Sequence, residues 1–136
     1  MIYSAEIVHL SDDVEEEVAL RISGVDITCF ANICPFQINE REIYQVALTP
    51  VVFDEYSVYE VPRESRPSLV KVGAGFAYEV VGELIGNQLD AGCIVLEDDV
   101  LLRDYGYLDG KMVVWKVDRI DAEILPQEQI NEVRLD

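Results

Sequence analysis

The sequence predicts a mainly β protein: a small, strongly bent antiparallel barrel or sandwich, OB-like (oligonucleotide/oligosaccharide-binding-like), with a short C-terminal helix. Three observations carry this. Apolar residues recur with period two through most of the chain, the period of half-buried strands. Glycine, proline and asparagine punctuate the runs at hairpin-like intervals. Near the C-terminus the apolar residues change parity partway along one long run, the pattern expected where a strand bends.

In chain order, residues 2–10 read as the first strand. Val18, Leu20 and Ile22 alternate with polar neighbours, and Ser23-Gly24-Val25-Asp26 reads as a turn. Ile27, Cys29, Ala31 and Ile33 follow on one face, so residues 17–33 predict a hairpin. Residues 42–49 alternate again, with Tyr44, Val46 and Leu48 together, until Pro50 interrupts. Val51-Val52-Phe53 and Tyr56 to Val61 have strand composition. Pro62 to Ser68 is polar and proline-bracketed, which predicts the main loop.

The second half reads as a three-strand meander. Residues 69–86 place Phe76, Tyr78, Val80 and Leu84 on one face and Glu79 and Glu83 on the other. Gly86 to Gly92 turns the chain, Cys93 to Leu102 returns it, and Arg103 to Gly110 turns it again. Lys111 to Ile124 reads as one long strand. Val113, Trp115 and Val117 share a parity there, and Ile120, Ala122 and Ile124 take the other, so an extra residue is expected near Val117-Asp118. Pro126 and the spacing of Ile130 and Val133 predict a helix over residues 126–134, with a second short helix conceivable at Asp12–Glu17.

The length of 136 residues suits one globular domain, and half the residues are hydrophobic, which excludes disorder. No apolar run reaches the length of a membrane span, and the first residues lack a secretory signal. Three cysteines, Cys29, Cys34 and Cys93, are too few for a disulfide framework; with the missing signal they point to the cytoplasm. Cys29 and Cys34 lack the tight knuckle spacing of a zinc site, so no metal is expected.

Charge is the outstanding property. The net is −17, with 13 acids against 4 bases in residues 1–68 and 14 against 6 in residues 69–136. Such a field repels nucleic acid and anionic membranes and attracts basic proteins. The single histidine, His9, has no nucleophile motif to serve, and Gly73-Ala74-Gly75 lacks the rest of any phosphate-binding loop. No catalytic residue and no cofactor are therefore assigned.

Three acidic clusters remain, at Asp12-Asp13-Val14-Glu15-Glu16-Glu17, at Glu97-Asp98-Asp99, and at Asp118, Asp121 and Glu123. Loop tyrosines Tyr105 and Tyr107 are candidate anchors. The expected contact surface comprises Asp12, Asp13, Glu15, Glu16, Glu97, Asp98, Asp99, Tyr105, Tyr107, Asp121 and Glu123. The function expected is a non-enzymatic, immunity- or inhibitor-like protein that engages a basic protein partner. Two alternatives stand beside it. One is a generic module whose arginine-over-lysine bias and acidity reflect high salt. The other is a small-ligand barrel or enzyme using Arg119 opposite Asp121 or Glu123.

Overall fold

A computed structural model of the chain describes residues 2–34 and 36–126. Eleven strands and one short helix follow in order: β1 (Ile2–Leu10), β2 (Glu17–Ile22), β3 (Val25–Ile33), β4 (Ile43–Val51), β5 (Ser57–Glu60), β6 (Ser68–Lys71), β7 (Tyr78–Ile85), β8 (Gln88–Asp90), β9 (Val95–Glu97), α1 (Asp99–Tyr105), β10 (Met112–Val117) and β11 (Arg119–Ile124). By internal contacts the chain divides into two compact units, residues 1–48 with 121–136 and residues 49–120.

The first unit is built on a closed five-stranded barrel with neighbours β1-β2-β3-β11-β4. Its pairings are antiparallel where β1 meets β2 and β4 and where β2 meets β3, and parallel where β3 meets β11. This is the OB-like barrel that the period-two pattern predicts. The β2–β3 turn is two residues, Ser23 and Gly24, both at positive φ (50° and 81°). That geometry matches the twist of the flanking strands, so Val25 pairs directly with Ile22. Ala5, Ile7, Val18, Leu20, Ile27, Cys29 and Val46 are buried, as the alternation predicts. Pro50 falls within β4, and the β1–β4 ladder stops short of it at Ala47.

His9 leaves the buried parity of Ala5 and Ile7. The β1–β2 register shifts between Ile7 and His9, so Leu10 takes the place opposite Val18 and His9 turns outward to Glu40 (Nδ1–Oε2 3.2 Å).

The second unit is a six-stranded sheet, ordered β5-β10-β7-β8-β9, with β6 also on β7. Strand β10 is buried on both faces over Met112–Trp115. Leu84, Leu89 and Leu96 are successive cross-strand partners on β7, β8 and β9, all buried.

The predicted meander needs correction here. Residues 69–86 form two strands, β6 and β7, parted by a turn that uses Gly73 at φ 71°. The predicted return strand from Cys93 ends at Glu97, and the following residues form α1 and a 3₁₀ turn (Gly106–Leu108). The physical reason is a cap: Asp98 Oδ1 accepts from the Val100 N–H at 2.9 Å, and Leu101, fully buried, anchors the turn. Burying such a leucine contributes about 2 kcal/mol. The segment Asp12–Glu17 contains no helix; it is a bend and turn leading into β2. The helix predicted over 126–134 lies, beyond Pro126, outside the described residues. The parity change at Val117-Asp118 is a strand break, with β10 in the sheet before it and β11 in the barrel after it. Among the described residues no helix is long and apolar enough to cross a membrane.

Candidate functional site

The acidic β1–β2 loop closes one side of a cavity. Ser11 Oγ accepts from the N–H groups of Asp13 (3.2 Å) and Val14 (3.1 Å), which shapes the loop. The Ala31 N–H donates to the Glu16 carbonyl at 2.7 Å, holding the loop against β3. The result is a cavity of about 490 Å³ lined by Leu10, Glu15, Glu16, Val18, Ala31, Cys34, Phe36, Gln37 and Ile38. Its walls are mixed: Leu10, Val18, Ala31, Phe36 and Ile38 are apolar, Glu15, Glu16 and Gln37 polar, and Phe36 is itself backed by Tyr44 (ring centroids 5.7 Å). Its charges are carboxylates only. Among the described residues no basic side chain pairs with Asp12, Asp13, Glu15 or Glu16, and all four are exposed. A hollow with an apolar side and uncompensated carboxylates suits a group with an apolar stem and a cationic head.

The thiols differ sharply. Cys34 is exposed at this cavity, and its Sγ donates to the Phe36 carbonyl at 3.1 Å. Cys29 is buried in the barrel, and burial, then the Asp121 charge, pushes its pKa up to about 12. Reaction with a thiol reagent should label Cys34 at once and Cys29 only on unfolding, by a factor of about 10³ or more in rate, measured by peptide mapping. The sign for stability follows. The folded thiol holds its proton where an unfolded one has lost it, so stability falls as pH rises from about 9 toward 12. Cys29→Ala should flatten that alkaline limb of the pH–stability curve.

In the second unit the sequence-predicted residues are put to several uses. Asp98 is the helix cap, Asp99 Oδ1 accepts from Asn87 Nδ2 at 3.4 Å, and Glu97 Oε2 accepts from Gln88 Nε2 at 3.4 Å. Tyr105 is half-buried within a run of aromatic rings. Trp115 lies 5.8 Å from Tyr56, Tyr56 stacks on Tyr105 at 5.7 Å, and Tyr105 lies 6.3 Å from Tyr107. The Tyr105 hydroxyl donates to the Tyr56 carbonyl at 3.1 Å. Tyr107 is 75% exposed. The Trp115 indole N–H is buried without a hydrogen-bond partner among the described residues, and the Tyr56 hydroxyl is buried with the Asp98 carboxylate acting on it. Burial first, then the charge of Asp98, raises the pKa of Tyr56.

The third cluster does not form a surface. Asp121 is only 7% exposed, so it is corrected from contact residue to interior residue. Asp118 Oδ2 accepts from the Phe53 N–H at 2.7 Å, and Glu123 is half-buried on β11. Arg119 lies over the Phe53 ring at 5.2 Å. A second cavity, about 280 Å³, mixes Glu79 and Asp118 with Lys116 among apolar residues and so lacks the one-sided charge of the first. Sequence reasoning missed the wall Cys34, Phe36, Gln37 and Ile38; the aromatic and aliphatic residues crowded beside Pro35 were its one signal. Among the described residues no three histidine, cysteine or acidic side chains gather as a metal site.

The chain matches, over residues 1–125, the family described as uncharacterised conserved protein UCP019853, and it belongs to that family. No curated protein and no solved structure matches it.

Proposed function

We propose that this family member is a binding protein that takes a basic protein partner in the cavity between the β1–β2 loop and residues 34 and 36–38. The single observation behind this is the cavity's one-sided charge. Glu15 and Glu16 border a hollow with an apolar side, with no lysine or arginine among its lining residues. A lysine or arginine of the partner would lay its methylenes against Val18, Phe36 and Ile38 and its head beside the two carboxylates. The net charge of −17 supports fast capture by drawing a cationic surface in at long range. Nucleic acid is disfavoured as partner by the same field. Three free cysteines suit residence in a reducing compartment such as the cytoplasm.

The test uses a labelled oligo-lysine peptide, titrated at low salt and again near 0.5 M, where the Debye length has shrunk to roughly 4 Å. Binding should weaken with salt. The double variant Glu15→Gln, Glu16→Gln should weaken it roughly two- to thirtyfold at low salt, two exposed charge contacts being worth about 0.2–1 kcal/mol each. Glu60→Gln with Glu64→Gln, two exposed acids of the other unit, should change it less than twofold. Equal losses in both double variants would show that the overall field, and no particular site, holds the peptide.

A further inference from the structure

We propose that Tyr107 is an arginine-docking anchor: the guanidinium of a basic partner stacks on its exposed face and extends the aromatic run Trp115–Tyr56–Tyr105–Tyr107. This rests on the reading that the partner is basic, but its site is a different one, in the second unit.

An aromatic side chain that is 75% exposed gives up most of the burial its ring could gain, yet this one is held in place. Its 3₁₀ turn closes through the Asp109 N–H on the Gly106 carbonyl (3.1 Å). Leu108, its immediate neighbour, is buried, and Asp109 Oδ1 accepts from the Gly86 N–H at 2.7 Å. On its inner side it meets Tyr105, which stacks on Tyr56, which contacts the fully buried Trp115. The turn that carries Tyr107 is therefore fixed by hydrogen bonds and a buried neighbour before any partner arrives, which lowers the ordering cost of a contact there.

The chemistry of the occupant follows from the surroundings. A ring face attracts cations, and the acids that flank it in the chain, Asp98, Asp99, Asp104 and Asp109, outnumber the one base, Arg103, which is already paired with Asp104 (3.2 Å). A nucleobase would also stack, but its phosphates would meet the net negative field. Arginine is preferred to lysine because its planar, weakly hydrated guanidinium lies flat on a ring.

The experiment compares oligo-arginine with oligo-lysine of equal length by calorimetric titration at low salt, against the wild type, Tyr107→Ala and Tyr107→Phe. The wild type should bind oligo-arginine roughly fivefold tighter than oligo-lysine, an exposed cation–π contact being worth about 1 kcal/mol. Tyr107→Ala should abolish that preference, Tyr107→Phe should keep it, and oligo-lysine binding should barely change in either. Binding that responds to Glu15 and Glu16 but shows no arginine preference, or a preference that survives Tyr107→Ala, overturns the anchor and leaves the cavity site standing. No binding of either peptide overturns both.

Discussion

Trp115→Ala should cost about 3–5 kcal/mol and unfold the second unit under conditions where the wild type is intact. Domains are stable by only about 5–15 kcal/mol, so this loss is decisive. Trp115 is fully buried on β10, a strand covered on both faces and paired on both edges, with Val58 of β5 and Val80 of β7. No neighbour can slide in to refill an indole-sized hole in such a sheet. The base of the aromatic run would go with it. Trp115 is the chain's sole tryptophan, so urea unfolding must be followed by far-ultraviolet circular dichroism. Trp115→Phe gives the sharper comparison. It leaves a smaller hole and removes an indole N–H that is buried without a partner among the described residues, a group whose burial costs about 1–3 kcal/mol. Its penalty should be less than half that of alanine. Equal penalties would mean that the N–H is satisfied after all.

Gly82→Ala should be nearly as damaging, at about 3 kcal/mol, although it adds one methyl group. Gly82 lies on β7 opposite Val113 of β10. A Cβ there would run into the Asp90 carbonyl oxygen and come within 2.6 Å of its carbon and 2.8 Å of Leu89 Cδ2. The obstacle is backbone, and it cannot yield without parting β7 from β8, which are paired at Glu83 and Asp90. Gly75→Ala is the matched control. Its Cβ would meet nothing within 4 Å, so the change should be neutral or slightly stabilising, within about 0.5 kcal/mol. If both variants melt alike, the close approach of the Asp90 backbone is not what excludes a side chain.

The barrel was legible because its strands are buried on one face. Val18, Leu20 and Ile22 alternate, Ser23-Gly24 supplies the two positive-φ residues of a tight hairpin, and the parity change at Val117-Asp118 marks where the chain leaves one sheet for the other. Helix α1 was not legible. Seven residues give fewer than two turns of periodicity, and Val100-Leu101-Leu102 after Val95-Leu96 reads as a continued strand. Its cap, Asp98, looked like one more surface acid. The same blind spot misplaced Asp121. Over Ile120–Ala122 strand β11 is buried on both sides, and alternation carries no information about a face that is not exposed. The acidic loop was visible as a charge run. The hollow behind it was not, because the Glu16–Ala31 hydrogen bond and the lining by Cys34, Phe36, Gln37 and Ile38 join positions with no shared pattern.

The order of the barrel strands has a consequence for biosynthesis. β4 ends at Val51 and its sheet neighbour β11 begins at Arg119, with the whole second sheet made in between. A ribosome therefore releases four staves of the barrel long before the one that seals it. Until then β3 and β4 each present a bare flank, open to pairing with other nascent chains. Residues 49–120 are contiguous and can condense as soon as they emerge, whereas the barrel must wait for its last stave. A high density of like charge on those early strands and loops would keep half-made copies apart during the wait.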